Sequence, residues 1–116
     1  MFSLTSSLRY YWYSEQTDMR KSFDGLCGII NGEIKLEPTC GIVFIFMNKR
    51  RNQVKLLHWN QGGFVLYYKR LEQGTFDKPI VMHNSNGQYI EWAQLVMLIE
   101  GISIKNYKNK KRYKIA

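Results

Sequence analysis

The sequence predicts an α+β fold: an antiparallel β-meander of about five short strands, two helices packed on one face, and a basic C-terminal tail. Three observations predict it. Between Gly41 and Phe76, three apolar runs rich in β-branched and aromatic residues are divided by breaks made of Asn and Gly, the pattern of strands joined by hairpins. Two other segments space their apolar residues by three and four, as one face of a helix requires. The last twelve residues hold six Lys and Arg, no acid and no apolar periodicity, as a solvated arm does.

Taken in order, Leu8–Tyr13 (LRYYWY) is an aromatic run of strand propensity with one cation, Arg9. It reads either as an edge strand packing on a core or as a stacking platform for unpaired bases. Thr17 or Asp18 caps a helix whose stripe is Met19, Phe23, Leu26 and Ile30, leaving Arg20 and Lys21 exposed. Gly25 and Gly28 weaken that helix by about 1 kcal/mol each relative to Ala, and a close approach to the sheet would account for them. Asn31-Gly32 stops it, and 33–41, with Pro38, forms a loop. Strands follow at Ile42–Met47, Val54–Trp59 and Phe64–Tyr68, separated by Asn48–Asn52 and Asn60–Gly63. Ile80–His83 and Gln88–Ile90 flank an Asn84–Gly87 turn of the type that closes a tight hairpin. Glu91–Glu100 is the second helix, with Trp92, Leu95, Val96 and Ile99 on one face and Gly101 as its cap. The expected core is Phe23, Leu26, Phe44, Phe46, Leu56, Trp59, Leu66, Leu95 and Ile99.

A chain of 116 residues fits a single domain, assigned to 1–104, with 105–116 as the basic tail. The net charge of +8 is uneven: residues 1–104 carry 11 Lys and Arg against 9 acids, and the tail supplies the remaining +6. Such asymmetry bears on partners, not on fold. Met1–Ser7 lacks the features of a secretory leader, and the apolar run Leu95–Ile99 is far short of a membrane span. Cys27 and Cys40 lack paired spacing and read as reduced core residues. A soluble cytoplasmic protein is expected, nucleoid-associated if it binds DNA.

The residues exclude most chemistries. The nine acids are scattered, whereas two-metal phosphoryl transfer needs clustered carboxylates. His58, His83, Cys27 and Cys40 form none of the short pairs that zinc sites use, and there is no phosphate-binding glycine loop. No catalytic residue, cofactor or metal is therefore assigned. What remains is charge. No Asp or Glu lies between Pro38 and Leu71, while Lys49, Arg50, Arg51, Lys55, Lys69 and Arg70 do. A Lys-Arg-Arg hairpin tip reaches a nucleic-acid backbone without disturbing its strands, although charges at a tip also serve simply to block edge aggregation. With the tail, the predicted nucleic-acid contacts are Lys49, Arg50, Arg51, Lys55, Lys69, Arg70, Lys108, Lys110, Lys111, Arg112 and Lys114. The helices present no recognition row, so contact should be weakly sequence-specific.

The words NKRRNQVKLLHW and GGFVLYYKRLEQGTF resemble the core of the TnpB accessory family of IS66-type insertion sequences. SLRYYWYSEQTDMRKSFDGL resembles that family's N-terminal segment, and EWAQLVMLIEGISI with its basic tail resembles the C-terminal one. The resemblance covers nearly the whole chain. It implies a transposition gene product working beside a separate transposase and another accessory protein, without defining its molecular role. Two functions follow: a non-enzymatic accessory protein that contacts DNA, either insertion-sequence ends or DNA in general, or an adaptor that docks on the transposase. Tyr10, Tyr11, Trp12, Tyr67 and Tyr68 would anchor the adaptor.

Overall fold

A computed structural model of the chain describes residues 4–79 and 88–101. Strand β1 spans Tyr10–Gln16 and helix α1 Phe23–Ile29, continued by a π-helical turn over Ile30–Ile34. Strands β2 (Val43–Met47), β3 (Gln53–Asn60), β4 (Gly63–Arg70) and β5 (Tyr89–Ile90) follow, and helix α2 closes the described chain at Trp92–Glu100. They form one five-stranded sheet in the order β4-β3-β2-β1-β5.

The α+β class holds, with two corrections to its layout. The sheet is mixed: β1 runs parallel to β2, with Tyr10 opposite Val43 and Trp12 opposite Ile45, while the other pairings are antiparallel. The reason is the helical segment between them. Parallel neighbours need a crossover connection, and α1 with its π-helical turn supplies it. The helices also lie against opposite faces, not one. On one face α2 brings Leu95, Leu98 and Ile99 against Tyr10, Trp12, Val43, Ile45, Val54 and Leu56. On the other, Leu26, Ile29 and Ile30 meet Tyr13, Phe44, Phe46 and Leu57. Strand β2 is thus buried on both sides at every position, which is what its unbroken apolar run encodes. Each fully buried Phe, Ile or Leu contributes roughly 1.5–3 kcal/mol over leaving it exposed, so β2 is the energetic centre of the domain.

Leu26, Phe44, Phe46, Leu56, Leu95 and Ile99 are buried as expected, but Phe23 is 41% exposed, and Trp59 and Leu66 are half-buried. Phe23 emerges because α1 begins there. Neither Thr17 nor Asp18 caps it; Ser22 holds that position and makes no side-chain cap bond. Nor does Asn31-Gly32 stop it: the chain turns once more and ends at Lys35, at φ 64°. The LRYYWY run lies inside the sheet, between β2 and β5, with Tyr10, Trp12 and Tyr13 buried. It is neither an edge strand nor a stacking platform. Cys27 and Cys40 are free, but Cys40 is exposed, not in the core. The Asn84–Gly87 turn, the 104/105 boundary and the tail lie outside the described residues. No helix among the described residues is long and apolar enough to cross a membrane.

Candidate nucleic-acid interface

The β2–β3 connection is the hairpin tip the sequence predicts. Lys49 and Arg50 are exposed there and form no hydrogen bond or ion pair with the described residues. The tip's shape does not depend on them. The Asn48 side chain accepts from the Asn52 and Gln53 amides (3.1 and 3.0 Å) and donates to Asn52 Oδ1 at 2.7 Å. A turn bond joins the Arg51 amide to the Asn48 carbonyl at 3.1 Å. Asn is suited to this because its side chain bonds backbone locally. Arg51 differs from its two neighbours: it is half-buried at φ 57°, and its carbonyl accepts from the Phe76 amide at 2.6 Å. At the opposite end, the β3–β4 turn has positive φ at Gln61 (49°) and Gly62 (82°), the two-residue geometry that suits twisted hairpins.

The other predicted contacts separate. Lys55 is only 5% exposed. Its ammonium donates to the carbonyls of Met19 (2.8 Å) and Lys21 (2.7 Å) and lies 4.7 Å from the centre of the Tyr68 ring. It is removed from the basic surface because β3 faces α1 at that position and the 17–21 loop closes over it. Lys69 is half-buried, with its ammonium 2.6 Å from the Ile99 carbonyl at the C-terminal end of α2, where a cation is favoured by the helix dipole. Arg70 is exposed but paired with Glu72 at 3.1 Å. Lys108, Lys110, Lys111, Arg112 and Lys114 lie outside the described residues.

Beside the tip the structure opens a cleft of about 590 Å³ on the α1 side of the sheet, between the 17–21 loop and 48–50. The loop is held at its start by the Thr17 amide bonding to the Met47 carbonyl at 2.9 Å, and at its end by Lys55. Arg20, Lys49 and Arg50 line the cleft against one acid, Asp18. Asp18 is already answered by Arg20, whose Nη2 lies 2.6 Å from it and holds the carboxyl down to about 2. A smaller hollow of about 240 Å³ on the other side adds Arg51 and Lys78, with Glu15 as its acid. Sequence reasoning missed Arg20 and Lys78 as members of this end, because their approach to the tip depends on the parallel β1–β2 pairing and on the return of residues 71–78. It also missed Tyr68 as a cleft residue. Of the aromatic residues proposed as adaptor anchors, Tyr10 and Trp12 are buried, Tyr11 and Tyr67 half-buried, and Tyr68 is 50% exposed. Among the described residues, no three or more His, Cys, Asp or Glu side chains are grouped to hold a metal ion.

Comparison with known proteins places this arrangement in context. The family model described as IS66 Orf2 like protein matches residues 8–109. The chain is similar to the uncharacterized protein y4jC of Sinorhizobium fredii (strain NBRC 101917 / NGR234), 26% identical over 110 residues, covering 95% of this chain and 92% of that one. It is also similar to uncharacterized protein y4hO of the same organism, 32% identical over 97 residues, covering 83% and 82%. No solved structure matches the chain significantly.

Proposed function

The chain belongs to the IS66 Orf2-like family, and from that premise we propose that it is a non-enzymatic accessory protein of insertion-sequence transposition. It grips the DNA backbone with the β2–β3 tip and the basic tail while assisting a separate transposase. The observation that carries this reading is the tip itself. Two exposed cations, Lys49 and Arg50, stand on a turn whose shape is fixed by Asn48 and Asn52, so binding phosphates orders only the two side chains. The non-enzymatic part is supported by the scatter of the carboxylates, since metal-assisted cleavage needs them gathered. Work on DNA implies a cytoplasmic, nucleoid-associated location.

The test is DNA binding by the full chain at several salt concentrations, with Lys49→Ser and Arg50→Ser combined. Stability should change by no more than about 0.5 kcal/mol per site, as for other surface changes. Affinity should fall alike for element-end and random duplexes, and the log–log salt slope should flatten by about 2. Arg51 is left intact because its backbone conformation and its bond from Phe76 shape the tip. Wild-type DNA affinity in the double variant, combined with lost recruitment of the transposase, would instead identify an adaptor. Purified protein should neither cleave nor join DNA with Mg²⁺ or Mn²⁺, and cleavage removed by Asp18→Asn would overturn the non-enzymatic reading.

A further inference from the structure

The cleft beside the tip is more than a charged surface, and the geometry points to a site for one unpaired nucleotide of DNA. Three features converge there. Tyr68 lines the cleft with half its surface exposed. The Lys55 ammonium sits against the ring, and the phenol donates to Gln53 Oε1, so the ring is held in place before any ligand arrives. A fixed aromatic plane is what a base needs to stack on, and stacking requires the base to be out of its own duplex. Lys49 and Arg50 stand over the same cleft, without a partner among the described residues, placed for the nucleotide's phosphate. The volume of about 590 Å³ lies within the roughly 300–1,000 Å³ of small-ligand clefts.

This inference rests on the reading of the tip as a DNA-backbone contact and adds to it a preference for DNA that is locally unpaired. In that arrangement the tip follows the backbone of a duplex, and a nucleotide released from pairing turns into the cleft. The preference follows because an intact duplex offers phosphates to Lys49 and Arg50 but no base face to Tyr68.

The test compares a blunt duplex with the same duplex carrying one bulged 2-aminopurine, using the full chain at a single salt concentration. The bulged duplex should bind about 5- to 140-fold tighter, the range expected for stacking one base on one aromatic ring, and the 2-aminopurine fluorescence should be quenched. Tyr68→Ala should reduce binding of the bulged duplex to the blunt level and abolish the quenching, leaving blunt-duplex affinity unchanged. Tyr68→Phe should retain both properties. If thermal melting shows that Tyr68→Ala loosens the domain, Tyr68→Leu keeps apolar cover over Lys55 without a π-face and should behave as Tyr68→Ala does. Equal affinity of the wild type for the two duplexes, or a preference that survives both Tyr68→Ala and Tyr68→Leu, would overturn the nucleotide site while leaving the backbone reading standing. Failure to bind either duplex would remove both.

Discussion

At the scale of single residues, Lys55 and His58 show how β3 uses polar groups inside the sheet. Lys55 looks in sequence like one more cation of a basic strand, but its two carbonyl partners make it a clamp on the 17–21 loop. Lys55→Met should destabilise the domain by about 1.5–3 kcal/mol, because hydrogen bonds to a charged donor are lost and the loop carbonyls are left without it. The check is a lower denaturant midpoint with an unchanged m-value. An unaltered midpoint would mean that water replaces the ammonium at no cost. His58 is 6% exposed, and its Nδ1 has no hydrogen-bond partner among the described residues. Burial holds the imidazole below its ordinary value of 6.5, opposed by a weaker backbone hydrogen bond to Gly41. The sign follows from proton counting: below 6.5 the unfolded chain takes up a proton that the folded one resists. The contribution of His58 is therefore complete above pH 6.5 and is lost as pH falls from there through the folded value. His58→Gln should flatten this part of the pH–stability curve between pH 7.5 and 5.5, and a curve with unchanged slope would contradict it.

At the scale of elements, the hairpins are legible and the crossover is not. Apolar runs broken by Asn and Gly locate β2, β3 and β4 to within two residues, because turn chemistry and strand propensity are local. The partner of β1 is decided by packing across 26 intervening residues, 17–42, and no local signal states it. The sequence does hold one clue to the second helix layer. The run Ile42–Met47 is apolar without alternation, and a strand with one solvent face would alternate. The site was legible only in part, for the same reason. Lys49 and Arg50 lie in a loop whose exposure follows from local sequence, whereas Lys55 and Lys69 owe their burial to a loop and a helix that arrive from elsewhere. The glycines of α1 also need a new explanation. A Cβ at Gly28 would meet nothing within 4 Å, and one at Gly25 would meet the Lys21 side chain at 3.1 Å, so neither glycine makes room for the sheet. Gly28→Ala should therefore stabilise the protein by up to about 1 kcal/mol, read as a higher denaturant midpoint. Gly25→Ala should gain less, because the Lys21 stem must shift to admit the methyl group.

At the scale of the whole molecule, several described cations gather at one end of the sheet, two of them paired with Asp18 and Glu72. Gln53 and Arg70 pair at the tip end of β3 and β4, and Val54 pairs with Lys69 one position further in. Since Lys69 reaches the Ile99 carbonyl, the C-terminal turn of α2 lies at that end as well. Arg20 and Lys78 line the two hollows on either side of the tip. A polyanion lying across this end would meet the tip, each cation that reaches a phosphate adding about 0.9 to the log–log salt slope. Ending the chain at Ile104 should then flatten the slope by about 5, and the Lys49→Ser, Arg50→Ser pair by about 2. Were the two groups to engage different phosphates of one duplex, as proposed, the losses would add: the truncated double variant should have a slope flatter than wild type by about 7, with each change exerting the same effect in the presence of the other. Titrations of the four proteins over the same salt series measure it. A combined loss no greater than that of the truncation alone would mean that the tail and tip compete for the same phosphates, and the sheet end would then be a single small anion site instead of an extended DNA-binding surface.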